Sequence, residues 1–256
     1  MNSSLSYLPQ RPAQPERVAP LNGRDETLRA LLSGHSLLSR LPERDRVDLL
    51  QWSTVKTVRE REYIFRSGDP GRSVLLVLKG YVKISVTTST GREVVLEIVQ
   101  PYGCFGELAV MNNCPRAADA TAITQCRLLA IDGRRFARAV ERSPEGLHAV
   151  MHLVSERLRH TTQQVLDSVA LPASARLAKT LLHLARMREP ALKEGERIDF
   201  RLSQSELGSM TGLTRESINK LLGTWREVGW IQLGSRSLEL LDPDALERLV
   251  SEAETN

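Results

Sequence analysis

Three groups of side chains in this 256-residue chain could do chemistry. The first is Phe105-Gly106-Glu107-Leu108, followed by Cys114-Pro115-Arg116-Ala117-Ala118. A glycine allows close backbone approach, a short helix offers free N–H groups, and an arginine fork clamps a phosphate through two parallel hydrogen bonds. Together these would hold an anion. Glu107 fits an anion site only if it accepts hydrogen bonds from hydroxyls, which a ribose supplies, and phosphate with ribose means nucleotide. Spacing alone also admits Arg116 as a surface arginine and Glu107 as a first-turn carboxylate favoured by the helix dipole.

The second group is Thr161 and Thr162. Leu147, Met151, Val154, Leu158, Thr161 and Val165 alternate spacings of four and three within Ser143 to Val169, the a/d seam of a short coiled coil. So narrow a seam needs a partner helix, and the same helix from a second copy supplies one as a two-fold dimer. Two hydroxyls in or beside it imply a polar group to be met there.

The third group follows a capping box. Ser203-Gln204-Ser205-Glu206 opens a helix that ends near Thr211-Gly212; Thr214 then caps a second helix running to about Val228. Helix, glycine turn, helix is the helix-turn-helix outline. On the second helix Arg215, Glu216, Asn219 and Lys220 share one face, while Ile218, Leu221, Leu222 and Trp225 share the other, as a helix in a major groove requires. Any exposed amphipathic helix shows the same division. Trp230 to Leu240 reads as a hairpin wing turning at Gly234-Ser235, with Arg236 at its tip within reach of a phosphate.

These groups need scaffolding of two kinds. Between Val55 and Asp132 short strands alternate with turns: Tyr63 to Arg66, Ser73 to Leu78, Tyr81 to Thr88, Glu93 to Val99, Ala117 to Thr124 and Arg127 to Ile131. That pattern predicts a small antiparallel β-roll or jelly roll. After the long helix, Leu171-Pro172 breaks the chain direction as a hinge, and Ser174 to Arg188 forms an amphipathic helix. The expected class is α+β: a disordered, proline-marked tail at 1–23, a β-roll effector domain at 24–142, the long helix at 143–170 and a winged helix-turn-helix at 171–256. Leucines between Arg24 and Trp52 suggest short helices leading into the β-roll, with Pro42 starting the second.

Composition narrows the classes. The net charge is +4, and from Pro172 onward 12 Lys and Arg meet 13 Asp and Glu, so bulk charge does not itself establish nucleic-acid binding. The acidic residues concentrate after Leu240, leaving a mildly basic module before them. The longest apolar run, Val74 to Leu78, is far too short for a bilayer, and the N-terminus lacks an apolar signal segment, so a cytoplasmic, non-membrane protein is expected. Cys104, Cys114 and Cys126 form neither a zinc nor a cluster motif and are expected to be free and buried. No nucleophile–base pair, metal-ligand cluster or phosphate loop marks an enzyme.

The order of elements resembles the CRP/FNR superfamily of bacterial transcription regulators over roughly residues 30 to 240. Phe105 to Ala118 resembles the phosphate-binding cassette of the cyclic-AMP-binding members, and Thr214 to Lys220 resembles their recognition helix. The resemblance implies that Gly106, Glu107 and Leu108 hold the ribose, that Arg116 with Ala117 holds the cyclic phosphate, and that Thr161 and Thr162 meet the adenine, one from each subunit. It implies that Arg215 and Glu216 read a G and a C and that Lys220 makes a third base contact, with Ser203, Thr214, Asn219 and Arg236 completing the DNA surface. The implied partners are double-stranded DNA with palindromic half-sites, a second copy of the chain and RNA polymerase. No cofactor is implied, only an effector, cyclic AMP or another cyclic nucleotide.

Two positions depart from the pattern. Ala117 stands where a serine hydroxyl usually meets the phosphate, and Lys220 replaces an arginine fork with a point charge. Ala117 keeps cyclic di-GMP, or no small effector, open beside cyclic AMP. A regulatory or interaction module without DNA binding is the alternative of a different class.

Overall fold

The computed structural model describes residues 16–17, 37–187, 191–198, 202–234 and 237–255. The N-terminal tail, apart from Glu16 and Arg17, and the leucines before Leu37 lie outside them. After a 3-10 turn at Leu37–Arg40 comes α1 (Glu43–Gln51). Two sheets then form the β-roll. One holds, in order, β1 (Glu16–Arg17), β2 (Ser53–Val58), β9 (Cys126–Asp132), β4 (Ser73–Lys79) and β7 (Cys104–Phe105). The other holds β3 (Tyr63–Phe65), β8 (Asp119–Ala122), β5 (Val82–Thr87) and β6 (Glu93–Val99).

The apolar run Val74 to Leu78 has a structural reason. Leu75 and Val77 of β4 face the interior between the sheets, beside Val82, Phe105 and Leu128. Val74, Leu76 and Leu78 face outward, yet they are buried too, under Leu38, Leu49, Phe136 and Val150. A strand covered on both faces reads as a continuous hydrophobic run rather than an alternation. β9 follows the same rule, with Leu128 and Ala130 inward and Leu129 and Ile131 outward.

The outer cover comes from α1, from α3 (Gly133–Arg142) and from the start of α4 (Pro144–Ala170). α3 escapes the sequence reading because Asp132-Gly133 has the form of a turn. The structure uses Asp132 as an N-cap, its carboxylate accepting from the Arg135 amide at 3.0 Å. The long helix begins where Ser143 Oγ accepts from the Gly146 amide at 3.0 Å with Pro144 in the first turn. It runs unbroken for 27 residues.

At Leu171 the backbone turns extended, and Pro172 precedes α5 (Ala173–Arg186). Next come β10 (Glu196–Ile198), α6 (Gln204–Thr211), α7 (Arg215–Glu227), β11 (Ile231–Leu233), β12 (Leu238–Leu240) and α8 (Pro243–Thr255). The wing is three-stranded, in the order β10-β12-β11, one strand more than the hairpin expected from Trp230 to Leu240. The acidic C-terminus is not a tail but α8, packed on α5. Glu247 pairs with Arg186 at 2.6 Å and Glu254 with Lys179 at 2.9 Å, and Lys179 also holds Asp167 at the end of α4 at 2.9 Å. No described helix is long and apolar enough to cross a membrane.

The two halves touch. Val95, Ile98 and Ile123 of the β-roll belong to the same apolar cluster as Leu181, Leu207, Ile218 and Trp225, and α6 packs against β6. The cysteine expectation needs one correction: Cys104 and Cys126 are buried free thiols, but Cys114, just past the Asn112-Asn113 turn, is exposed.

Candidate functional site

β7 delivers the chain into Gly106, whose φ of 82° is left-handed backbone that a side chain would strain. A Cβ there would also run into the Arg116 guanidinium and displace it from its place in the cassette. From it springs α2 (Glu107–Met111), and the chain returns through Arg116.

Arg116 is buried, and its guanidinium lies 4.2 Å from the centre of the Phe65 ring. Nη1 donates to the Gly106 carbonyl and Nη2 to the Ser73 carbonyl, each at 2.7 Å, while the buried Nε has no partner among the described residues. Burial pushes the guanidinium below its ordinary range, and Glu107 and Asp69 oppose that. The fork is thus held in the cassette by neutral carbonyls that an anion can outcompete.

Glu107 is fully buried. Its Oε1 is taken by Arg157 of α4, and its Oε2 has no partner among the described residues. Arg157 also donates to the Cys104 carbonyl and meets Glu97 Oε2 at 2.8 Å. Burial works against the Arg157 charge, and Glu107 with Glu97 more than reverses it, so its pKa is raised. The Cys104 thiol is driven up by the same burial, reinforced by the Glu107 charge.

Arg157 is absent from the sequence-derived set. It stands one helical turn before Thr161, on the same face, and that was the only available signal.

These groups surround a cavity of about 560 Å³ between the β-roll, α4 and α5. Gly106, Glu107, Leu108, Arg116, Ala117 and Thr161 all line it. Thr162 lies outside the lining and is exposed, since one residue along a helix turns the side chain by about 100°. An open buried carboxylate oxygen can accept from a hydroxyl, and a guanidinium fork held by neutral carbonyls can pair with an anion. Among the described residues no three His, Cys, Asp or Glu side chains gather as metal ligands do.

The second candidate surface is on the other half. Ser203 Oγ accepts from the Glu206 amide at 3.2 Å and completes a capping box for α6. Gly212 ends that helix at φ 72°. Thr214 Oγ1 accepts from the Ser217 amide at 3.2 Å to start α7, so both hydroxyls are engaged as caps. Ile218, Leu222 and Trp225 are buried, whereas Arg215, Glu216, Asn219 and Lys220 are exposed together. Asn219 Oδ1 accepts from Gln204 Nε2 at 3.2 Å, tying the two helices. Trp230 braces the wing on α7, its ring 6.3 Å from that of Trp225. Arg236 lies outside the described residues.

A β-roll enclosing a polar-tipped cavity, joined by one long helix to a winged helix-turn-helix, is the build of a ligand-responsive DNA-binding regulator. Residues 55–143 match the model of the cyclic nucleotide-binding domain, and residues 175–249 match that of the Crp-like helix-turn-helix domain. A CRP-like cAMP-activated global transcriptional regulator of Mycobacterium tuberculosis is 31% identical over 185 residues, covering 72% of this chain and 83% of that protein. A CRP-family transcriptional regulator of Thermus thermophilus superposes with a TM-score of 0.66 at 26% identity, over 77% of this chain and 96% of the other. The c-di-GMP responsive global regulator CLP of Xanthomonas campestris gives 0.63 at 25% identity, over 74% and 94%. The chain belongs to the CRP/FNR family of transcription regulators, a DNA-binding, non-enzymatic protein with a cyclic nucleotide-binding domain.

Proposed function

We propose that the chain acts as a homodimer whose affinity for palindromic DNA is set by cyclic AMP bound in the β-roll cavity. The observation that carries this is the open Glu107 Oε2, buried beside Arg116 and Arg157 in one cavity. A buried carboxylate oxygen without a donor is costly, and a ribose hydroxyl relieves it while the cyclic phosphate takes the Arg116 fork. Thr161 meets the base from the same chain and Thr162 from the second copy.

The dimer reading rests on the exposed seam of α4. Leu147, Met151, Leu158 and Val165 are all open, with Leu158 67% exposed, and a matching helix covers them. Nucleotide then acts only through its higher affinity for the DNA-competent arrangement of the two long helices, with Leu171-Pro172 as the hinge. Arg215, Glu216 and Lys220 read base edges, and Ser203, Thr214, Asn219 and Arg236 complete the contact surface. RNA polymerase is the onward partner, and the cytoplasm is where such a dimer works.

Isothermal titration with cyclic AMP, and with cyclic di-GMP alongside, tests the effector. Saturable binding of cyclic AMP that disappears in Arg116→Ala is the expected result; binding of neither nucleotide removes the switch. Cyclic di-GMP is the second reading. Ala117 favours it by lacking the phosphate hydroxyl, and the Xanthomonas relative is named for responding to that nucleotide. Sedimentation of Leu158→Asp, expected to run as a monomer, tests the dimer.

A further inference from the structure

The effector cavity does not end at the long helix. Its wall continues onto α5, the first helix of the DNA-binding half, where His183 and, just past the helix end, Met187 line it together with His160 of α4. The His160 and His183 rings are neighbours across the hinge, with centroids 5.4 Å apart and planes tilted by 31°. His183 has free surface, and part of it borders the cavity. We infer that His183 is a specificity-determining residue that reads the base of the bound nucleotide, so that the DNA-binding half contacts the effector directly and not only through the hinge. This rests on the cyclic-nucleotide reading of the same cavity.

The geometry assigns the ends. Phosphate and ribose are taken by Arg116 and Glu107 at the β-roll end; of the walls that remain, β6 offers the apolar Leu96, Ile98 and Val99, and the polar groups for a base edge are on the helical side, at Thr161, His160 and His183, with Met187 beside them. A neutral imidazole offers one N–H donor and one acceptor, which suits a base edge, and a thioether offers a soft, polarisable face for a ring. Burial, then His160 and Arg186, hold the His183 imidazole below its ordinary value and so neutral near pH 7. Glu156 and Arg157 of α4 and Glu97 of β6 border the same cavity. Glu97 is the Arg157 partner described above, and Glu156 pairs with Arg159, so both carboxylates have a cation other than His183 beside them.

A base held between α4 and α5 fixes the orientation of α5, and with it the helix-turn-helix that packs on it. By linkage, DNA that favours that orientation tightens the nucleotide by the same factor.

The test is titration of the full-length protein with cyclic AMP and cyclic GMP, in wild type, Arg116→Ala, His183→Phe and His183→Ala. Phenylalanine keeps the ring volume and removes both hydrogen-bonding groups; unliganded melting of each variant checks the fold. The expected result is an affinity for cyclic AMP about tenfold weaker in His183→Phe, the worth of one hydrogen bond, with the cyclic AMP to cyclic GMP preference reduced. A role in packing alone weakens both nucleotides equally, so an unchanged preference overturns the inference, whether the two affinities fall together or stay at the wild-type values. If wild type binds neither nucleotide, this inference and the effector reading both fall. If Arg116→Ala abolishes binding while the His183 variants keep the wild-type preference, only the α5 contact falls.

Discussion

The guanidinium of Arg157, on the long helix, closes on the carboxylate of Glu107, at the first turn of the cassette helix, and leaves one carboxylate oxygen open. The pair joins two elements 50 residues apart and locks the helix to the β-roll before any ligand arrives. Arg157→Met strands a fully buried carboxylate, which costs about 3–5 kcal/mol. Adding Glu107→Gln to that variant is expected to recover most of the loss, as read from urea unfolding midpoints. With Glu107→Gln measured alone as well, a double-variant loss equal to the sum of the two single losses would mean the pair carries no coupling.

Ala117→Ser puts a hydroxyl on the cavity wall next to Arg116. One added hydrogen bond to an anion is worth about 1 kcal/mol net, so cyclic AMP is expected to bind about fivefold tighter by calorimetry. Unchanged affinity would mean that the phosphate lies away from this wall.

Arg215→Ala is expected to cost about 1–3 kcal/mol at a single base pair of each half-site and to relax specificity there. Competition binding against a set of single-base operator variants measures it. Uniform weakening over the whole set would assign Arg215 to the phosphate backbone. Lys220→Ala, losing a point charge rather than a fork, is expected to relax the preference at its own base pair less sharply than Arg215→Ala does, with a lower salt slope beside it.

Acid sensitivity follows from His183. Its imidazole, held below the ordinary 6.5 by burial, then by His160 and Arg186, takes up its proton at lower pH in the folded chain than in the unfolded one. Folded stability from this group is therefore full above pH 6.5 and falls as the pH drops below it, because the unfolded state binds more protons there. Thermal melts between pH 7.5 and 5.5, in buffers of matched ionic strength, are expected to decline less steeply for His183→Gln. Parallel curves for the two proteins would exclude the effect.

Much of this fold is legible locally. Capping boxes, glycine turns and alternating apolar residues act over a few neighbours, so α6, α7, the long helix and the strands β3, β4, β5, β6, β8 and β9 read within a residue or two of their ends, whereas β2 and the two-residue β7 do not. What escapes depends on distant partners. The α8 helix hides behind its acidic residues, whose Lys179 and Arg186 partners are more than 60 positions away. Arg157 looks like any cation on an exposed helix face until the β-roll brings Glu107 and Glu97 to it. Likewise His160 and His183 meet only because the chain reverses at Leu171-Pro172, a turn whose presence is legible but whose angle is not.

The uninterrupted length of α4 has a mechanical consequence. From Thr161 at the cavity to Ala170 at the hinge is about 13 Å at 1.5 Å per residue. With no proline or glycine in that stretch, it is a stiff lever arm. A tilt of about 10° at the cavity end therefore carries the hinge sideways by about 2 Å. That displacement matches the scale of helix shifts that switch other assemblies, about 1–2 Å, and is reached without melting a single turn.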